Sequence, residues 1–287
     1  MQRTHLVFQR NGHLTALQVA VTAVRTVASL DEANRSLFKD ATDDDHVVIT
    51  DATIFHPQGG GQPSDVGVMT RAGSGGSEPV GESRFDVRMV RMSVAAQGEV
   101  LHLGRFAAGA ETAAKLSEAN PVFRPGDIVT QQIDIEKRLL YSRYHTAGHV
   151  LGAAVRHLLE KEVDGFDETK ASHFPDSAAC EFQGLIESKW KDVIQQKVDE
   201  YVDKDMAVEI EWWSEDDFRA NGMERQIPDR AAMGLGEDEK FRVVRIVGAE
   251  TYPCGGTHVP STKLCGKTNV KKISRSKGMS RVGYVLP

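Results

Sequence analysis

Two short stretches of the sequence carry residue types that could do chemistry. HTAGH (145–149) sets two histidines four residues apart. On a helix, positions i and i+4 lie on one face about a turn apart, so His145 and His149 can converge on one ion. CGGTH (254–258) offers Cys254 and His258 around two glycines that permit a tight turn and a close backbone approach. Taken alone, the histidine pair reads as packing or surface residues, and CGGTH as readily as a structural turn with a buried Cys. Together they supply three imidazoles and a thiol, a donor set suited to tetrahedral zinc. Thr146 stands where zinc proteases of the HExxH type need a glutamate base, which disfavours a metalloprotease. The long separation of the pairs is unlike a zinc finger and points to a metal in a cleft. Four protein ligands would close the coordination sphere, whereas catalysis needs an open position, so His258 is expected to bind loosely or to act from behind the other three. Hydrolysis would then use a metal-polarised water, or one held by an imidazole base.

The elements that must position these groups can be read in outline. Apolar residues at helical spacing run through 139–160 (Leu140, Tyr144, Ala147, Leu151, Ala154, Val155, Leu158), with Asp134 as a plausible N-cap. A second amphipathic helix carries Trp190, Ile194, Val198 and Tyr201 on one stripe. VEIEWW (208–213) and FRVVRIVG (241–248) read as strands, and Ser214 with Asp217 resembles a capping box opening a short helix. After CGGTH the pattern implies two or three closing strands. Upstream of residue 135 the texture is β-rich. Strands are expected within 13–27, where Val19 and Val21 alternate before a shift to Val24 and Val27, and over 45–55, 84–94, 99–103 and 123–134. HPQGGGQPSDVG (56–67) must be a turn, 71–83 a flexible hairpin tip or insertion, and 106–121 an Ala-rich helix or loop. The chain therefore reads as a β-barrel-like domain over 1–135, with the GGGQ loop, and an α+β domain over 136–287.

Composition narrows the setting. No apolar run approaches the ~20 residues that span a bilayer, so no membrane role is expected. Three cysteines are too few for a disulfide scaffold, which points to a reducing, cytoplasmic location. The net charge is −6, which argues against a general nucleic-acid coat. Yet residues 259–287 hold seven Lys and Arg and no Asp or Glu. Such a stretch is either a solvated strand pair or a local docking patch for a polyanion.

The order of three motifs carries a resemblance. A strand leading into Thr53-Ile-Phe-His-Pro-Gln-Gly-Gly-Gly-Gln-Pro-Ser-Asp-Val-Gly67, then HTAGH, then CGGTH about a hundred residues later, with SKGMSRVGY (276–284) near the end, is similar to the editing domain of alanyl-tRNA synthetase. It resembles its free-standing AlaX-type forms in particular, over nearly the whole chain. The resemblance implies a β-barrel followed by an α+β editing domain of the threonyl/alanyl-tRNA synthetase type. It also implies trans-editing: zinc-assisted hydrolysis of tRNA(Ala) mischarged with serine, with Gly-tRNA(Ala) as a second candidate substrate. Carried over by position, His145, His149, Cys254 and His258 would hold Zn2+, and Gln62 would reach the site from the first domain. His145, Cys254, His258 and Gln62 would be catalytic. Thr53, Thr146 and Ser172 are candidate pocket residues, while Asp65 is expected to brace its loop. Lys267, Lys271, Lys272, Arg275, Lys277 and Arg281 would meet acceptor-stem phosphates. Gln62 is the first choice for reading the serine hydroxyl, because a site built to hydrogen-bond that group rejects alanine.

Two departures from the family pattern stand out: Gly148 between the histidines, expected to loosen the helix, and KLCG (263–266), which lacks a usual acidic residue. Two other readings remain open. One is a threonyl-type editor, which shares the HxxxH and CxxxH pairs and works without zinc. The other is a non-catalytic zinc and RNA-binding module.

Overall fold

In a computed structural model, residues 3–71, 83–107 and 122–287 are described. The expectations for 72–82 and 108–121 lie outside them. The chain forms two compact units, one of residues 1–58 and 64–138, the other of 59–63 and 139–287. Among the described residues, no helix is long and apolar enough to cross a membrane.

The first unit is a closed barrel of six strands, in the order Ala16–Thr26, His46–Thr50, Val100–Phe106, Ser83–Met92, Gly67–Arg71 and Ile128–Ile133, with every neighbour antiparallel. Val19, Val21, Val48, Met69, Phe85, Val90 and Val129 fill one core cluster. The shift of apolar phase seen in the sequence after Val21 is a β-bulge: Val21 pairs with Thr50, but Ala23 pairs with Ile49. An extra residue there flips the inward set by one position and bends the strand, as barrel closure needs. Stretch 45–55 breaks at Asp51 into His46–Thr50 and Ala52–Thr53, because Asp51 turns its carboxylate onto the Ala20 N–H (2.9 Å). Asp65 braces its turn as expected. It accepts from His56 N and pairs with Arg138, whose guanidinium also donates to Gly12 O and Ile54 O.

The second unit is α+β. Helix Ile135–Leu159 opens on Asp134, whose Oδ1 accepts from Lys137 N at 3.0 Å. From residue 139 on, it buries Tyr144, Ala147, Val150, Leu151, Ala154, Val155 and Leu159 in one cluster with Cys180, Phe182, Val282 and Tyr284. Those partners lie on a four-stranded antiparallel sheet ordered Asn269–Ser276, Met279–Val285, Ala179–Gln183, Asp167–Ser172. Helix Lys191–Asp203 adds Ile194, Val198 and Tyr201 to the same core. A three-stranded sheet of Val208–Trp213, Phe241–Ile246 and Glu250–Pro253 completes the unit. Ser214 and Asp217 do form a reciprocal capping box on helix Glu215–Ala220, a device worth about 1 kcal/mol.

The units differ from a single cut at residue 135. Gly59–Pro63 clusters with the second unit, while Arg138, already inside the helix, stays with the first through its bonds to Asp65, Gly12 and Ile54.

Candidate metal centre

The long helix brings His145 and His149 to one face, and the turn after strand Glu250–Pro253 brings Cys254 and His258 to meet them. One ligand-type atom from each of the four lies within 4.8 Å of every other. His145 and His149 are buried, and Cys254 and His258 are half-buried.

Hydrogen bonds fix which nitrogens face the cluster. Gln62 is fully buried, and its Oε1 accepts from Thr257 N at 3.0 Å, which settles which end of the amide is oxygen. That same Oε1 lies 2.6 Å from His145 Nδ1. A carboxamide oxygen can only accept, so Nδ1 carries a proton; in the neutral ring Nε2 is then the nitrogen with the lone pair, 3.5 Å from Cys254 Sγ. His258 follows the same logic. Thr146 Oγ1 gives its one proton to Ser142 O (2.9 Å), so it accepts from His258 Nδ1 (3.1 Å) and Val259 N (3.1 Å). In the neutral ring Nε2 of His258 is then the nitrogen with the lone pair, 3.4 Å from Cys254 Sγ. Two imidazoles thus turn their Nε2 atoms towards one thiol, and each is held from behind, as metal-ligating histidines are.

His149 supplies a further sign. Its Nδ1 is buried with no hydrogen-bond partner, a cost of about 1–3 kcal/mol in an apolar setting unless something else satisfies the ring. Burial, helped by the fields of His173 and Arg242, pushes its pKa well below the ordinary value, so the ring stays neutral and able to ligate. Burial pushes the Cys254 thiol up, and the Arg242 guanidinium opposes that rise while donating to Cys254 O. Three imidazoles, one of them with an orphaned ring nitrogen, and a thiol fit a divalent transition-metal ion.

The glycine-rich turn is legible in these terms. Gly59 and Gln62 face each other across a two-residue turn in which Gly60 and Gly61 both have positive φ (56° and 76°). A Cβ on Gly61 would fall 2.3 Å from Ala171 O, and His173 N donates to Gly61 O at 2.8 Å. The turn is therefore pinned against the end of strand Asp167–Ser172, which sets Gln62 on His145. Gly256 makes the matching approach: a Cβ there would sit 2.2 Å from His145 Cε1. Replacing Gln62 by Ala is expected to leave the fold intact and to weaken metal uptake about 10–100-fold, read by competition with a chromophoric chelator.

Not every expected residue joins the cluster. Thr146 does, but its hydroxyl is fully engaged behind His258. Thr53 lies in the barrel unit, fully buried, bonded to His102 Nε2 (2.8 Å) and Phe55 N (3.0 Å). Ser172 is half-buried in register with Ala179, and the neighbouring His173 is the residue that enters. Its ring stacks on His145 with centroids 4.2 Å apart. Tyr252, 4.3 Å from the His149 ring, and Thr257, which bonds both Gln62 Nε2 and Ser142, are also parts of the site that the sequence motifs do not single out. Thr257 sits inside CGGTH and His173 directly follows the candidate Ser172, and that position is the one signal that could find them. Gly148 leaves the helix regular, so the expected loosening does not occur.

Residues 241–282, which include the CGGTH turn and most of the basic strand pair, match the family described as the threonyl and alanyl tRNA synthetase second additional domain. Across a larger span the chain is similar to alanyl-tRNA editing protein AlaX-L of Pyrococcus horikoshii, with 28% identity over 83% of this chain and 50% of that protein. It is also similar to alanine-tRNA ligases of Methanosphaera stadtmanae (27% identity, 85% of this chain, 24% of the ligase) and Methanothrix thermoacetophila (26%, 83% and 23%). The chain spans half the length of the first of these relatives and about a quarter of the other two.

Proposed function

We propose that the chain is a trans-editing hydrolase that deacylates Ser-tRNA(Ala), with zinc held by His145, His149, Cys254 and His258. The observation that carries this reading is the geometry of His145 and His258, whose Nδ1 atoms are held by Gln62 and Thr146 so that both Nε2 atoms face the Cys254 thiol. A zinc ion held there would supply Lewis acidity for cleavage of the aminoacyl ester. The chain's own residues do the rest. Gln62 and Thr146 keep the Nδ1 protons of their histidines away from the cluster, and the buried walls limit bulk water. With Oε1 and one Nε2 proton of Gln62 committed inside the protein, we assign it to holding His145 rather than to reading the serine hydroxyl. The similarity to AlaX-L and to alanine-tRNA ligases supports the substrate class.

The test pairs metal analysis of the purified protein with deacylation of Ser-tRNA(Ala), Ala-tRNA(Ala) and Ser-tRNA(Thr). Zinc at one equivalent with selective release of serine from tRNA(Ala) is the expected result. Zinc without hydrolysis would favour a binding module. Hydrolysis undiminished by thorough metal removal would sink the metal mechanism, and preference for Ser-tRNA(Thr) would reassign the substrate.

Lys267, Lys271, Lys272, Arg275, Lys277 and Arg281 are all exposed, on or beside the hairpin of Asn269–Ser276 and Met279–Val285. Arg281 is committed to Ser177 O and lies 3.6 Å from Glu181. We assign the others to phosphate binding. Replacing Lys271 and Lys272 by Ala should then make the slope of log Kd against log salt for tRNA shallower, by about 1 for each lysine that meets a phosphate. An unchanged slope would remove these two from the interface.

A further inference from the structure

His173 is not among the four ligand-type residues, yet it is bound into the cluster as tightly as they are. Its ring is 2% exposed and lies on His145 at 4.2 Å with an interplanar angle of 23°. Tyr284 gives its hydroxyl proton to Tyr144 O at 2.8 Å, so the 2.8 Å contact between His173 Nδ1 and Tyr284 Oη must be a donation from His173. The ring's tautomer and tilt are therefore set by a chain that ends on the backbone of the same helix that carries His145. The space it occupies exists because residue 148 is glycine: a Cβ there would lie 2.3 Å from His173 Cε1, 2.4 Å from Nδ1 and 2.7 Å from Tyr284 Oη. The backbone of His173 is fastened to Gly61, one residue before Gln62.

We propose that His173, seated in the notch left by Gly148, is a positioning residue for His145, fixing the plane of that imidazole while Gln62 fixes its tautomer. The inference rests on reading the cluster as a metal centre. A hydrogen bond to Nδ1 alone leaves the His145 ring free to rock about that bond. A flat neighbour stacked on its face removes that freedom. Gly148 is thus the helix position that makes room for the stack, and His173 and Gly148 form one device.

The experiment uses Co2+ as the probe on the full chain, with affinity from chelator competition, the visible ligand-field spectrum, and the melting temperature of the metal-free protein. His173→Ala is expected to weaken Co2+ binding about 10–100-fold and to shift the ligand-field bands. Tyr284→Phe, which keeps every ring but removes the acceptor for His173 Nδ1, should move affinity and spectrum in the same direction by less. A His173→Ala protein that melts lower but binds Co2+ with unchanged affinity and spectrum would show mere packing and overturn the inference alone. A wild-type chain that takes up no Co2+ overturns the metal reading and this inference with it.

Discussion

Cys254→Ala is expected to abolish serine release from Ser-tRNA(Ala), with a fall of at least about 10²-fold, or roughly 2.7 kcal/mol of transition-state stabilisation, and to reduce bound metal from one equivalent towards none. The reasons lie in the geometry. Sγ of Cys254 is the atom that the Nε2 atoms of His145 and His258 both face, at 3.5 and 3.4 Å. It is also the one thiol among the four residues, and the soft donor that separates this set from an all-nitrogen one. The side chain is half-buried rather than central to a core cluster, so the fold should survive its removal. Metal content by mass spectrometry and single-turnover deacylation check the two halves separately. Full activity in the variant would show the site assignment to be wrong.

The second large effect concerns stability. Asp65 and Arg138 are 1% and 5% exposed, and the guanidinium is shared between that carboxylate and two backbone carbonyls. Removing one partner of a buried pair leaves the other charged and unsatisfied, which costs about 3–5 kcal/mol. Asp65→Ala also frees the His56 N–H. The expected result is a drop in melting temperature on the order of 10 °C for either single variant. Asp65→Leu combined with Arg138→Met should recover much of that drop, because two matched apolar groups leave no orphaned charge. Thermal melts of the three proteins check this. A double variant no better than the singles would mean that the pair also acts through the turn it braces.

Much of the fold and site is legible in the chain, and the gaps have physical causes. VEIEWW reads as strand Val208–Trp213 because alternation and aromatic content agree, and Ser214–Asp217 reads as a cap because capping is local chemistry. The two histidines of HTAGH can be paired from helical spacing alone. The strand Asp167–Ser172 cannot be read, since DETKAS has no apolar alternation and takes its place at the edge of a sheet. His173 is hidden for the same reason: its partner Tyr284 is 111 residues away, and nothing local distinguishes it from Ser172. Gly148 reads as a flaw in a helix because its cause, the ring that fills the space of its missing side chain, lies on another element.

The placement of Gly59–Pro63 has a consequence for inheritance. A protein whose second unit were one unbroken stretch could pass its site between genes by a single recombination event. Here the amide that dictates the tautomer of His145 is encoded 83 positions upstream of it, within sequence whose flanks build the barrel. A gene fragment covering 139–287 would carry all four ligand-type residues and still lack the part that orients one of them. The barrel and the metal centre are for that reason expected to travel together as one hereditary package.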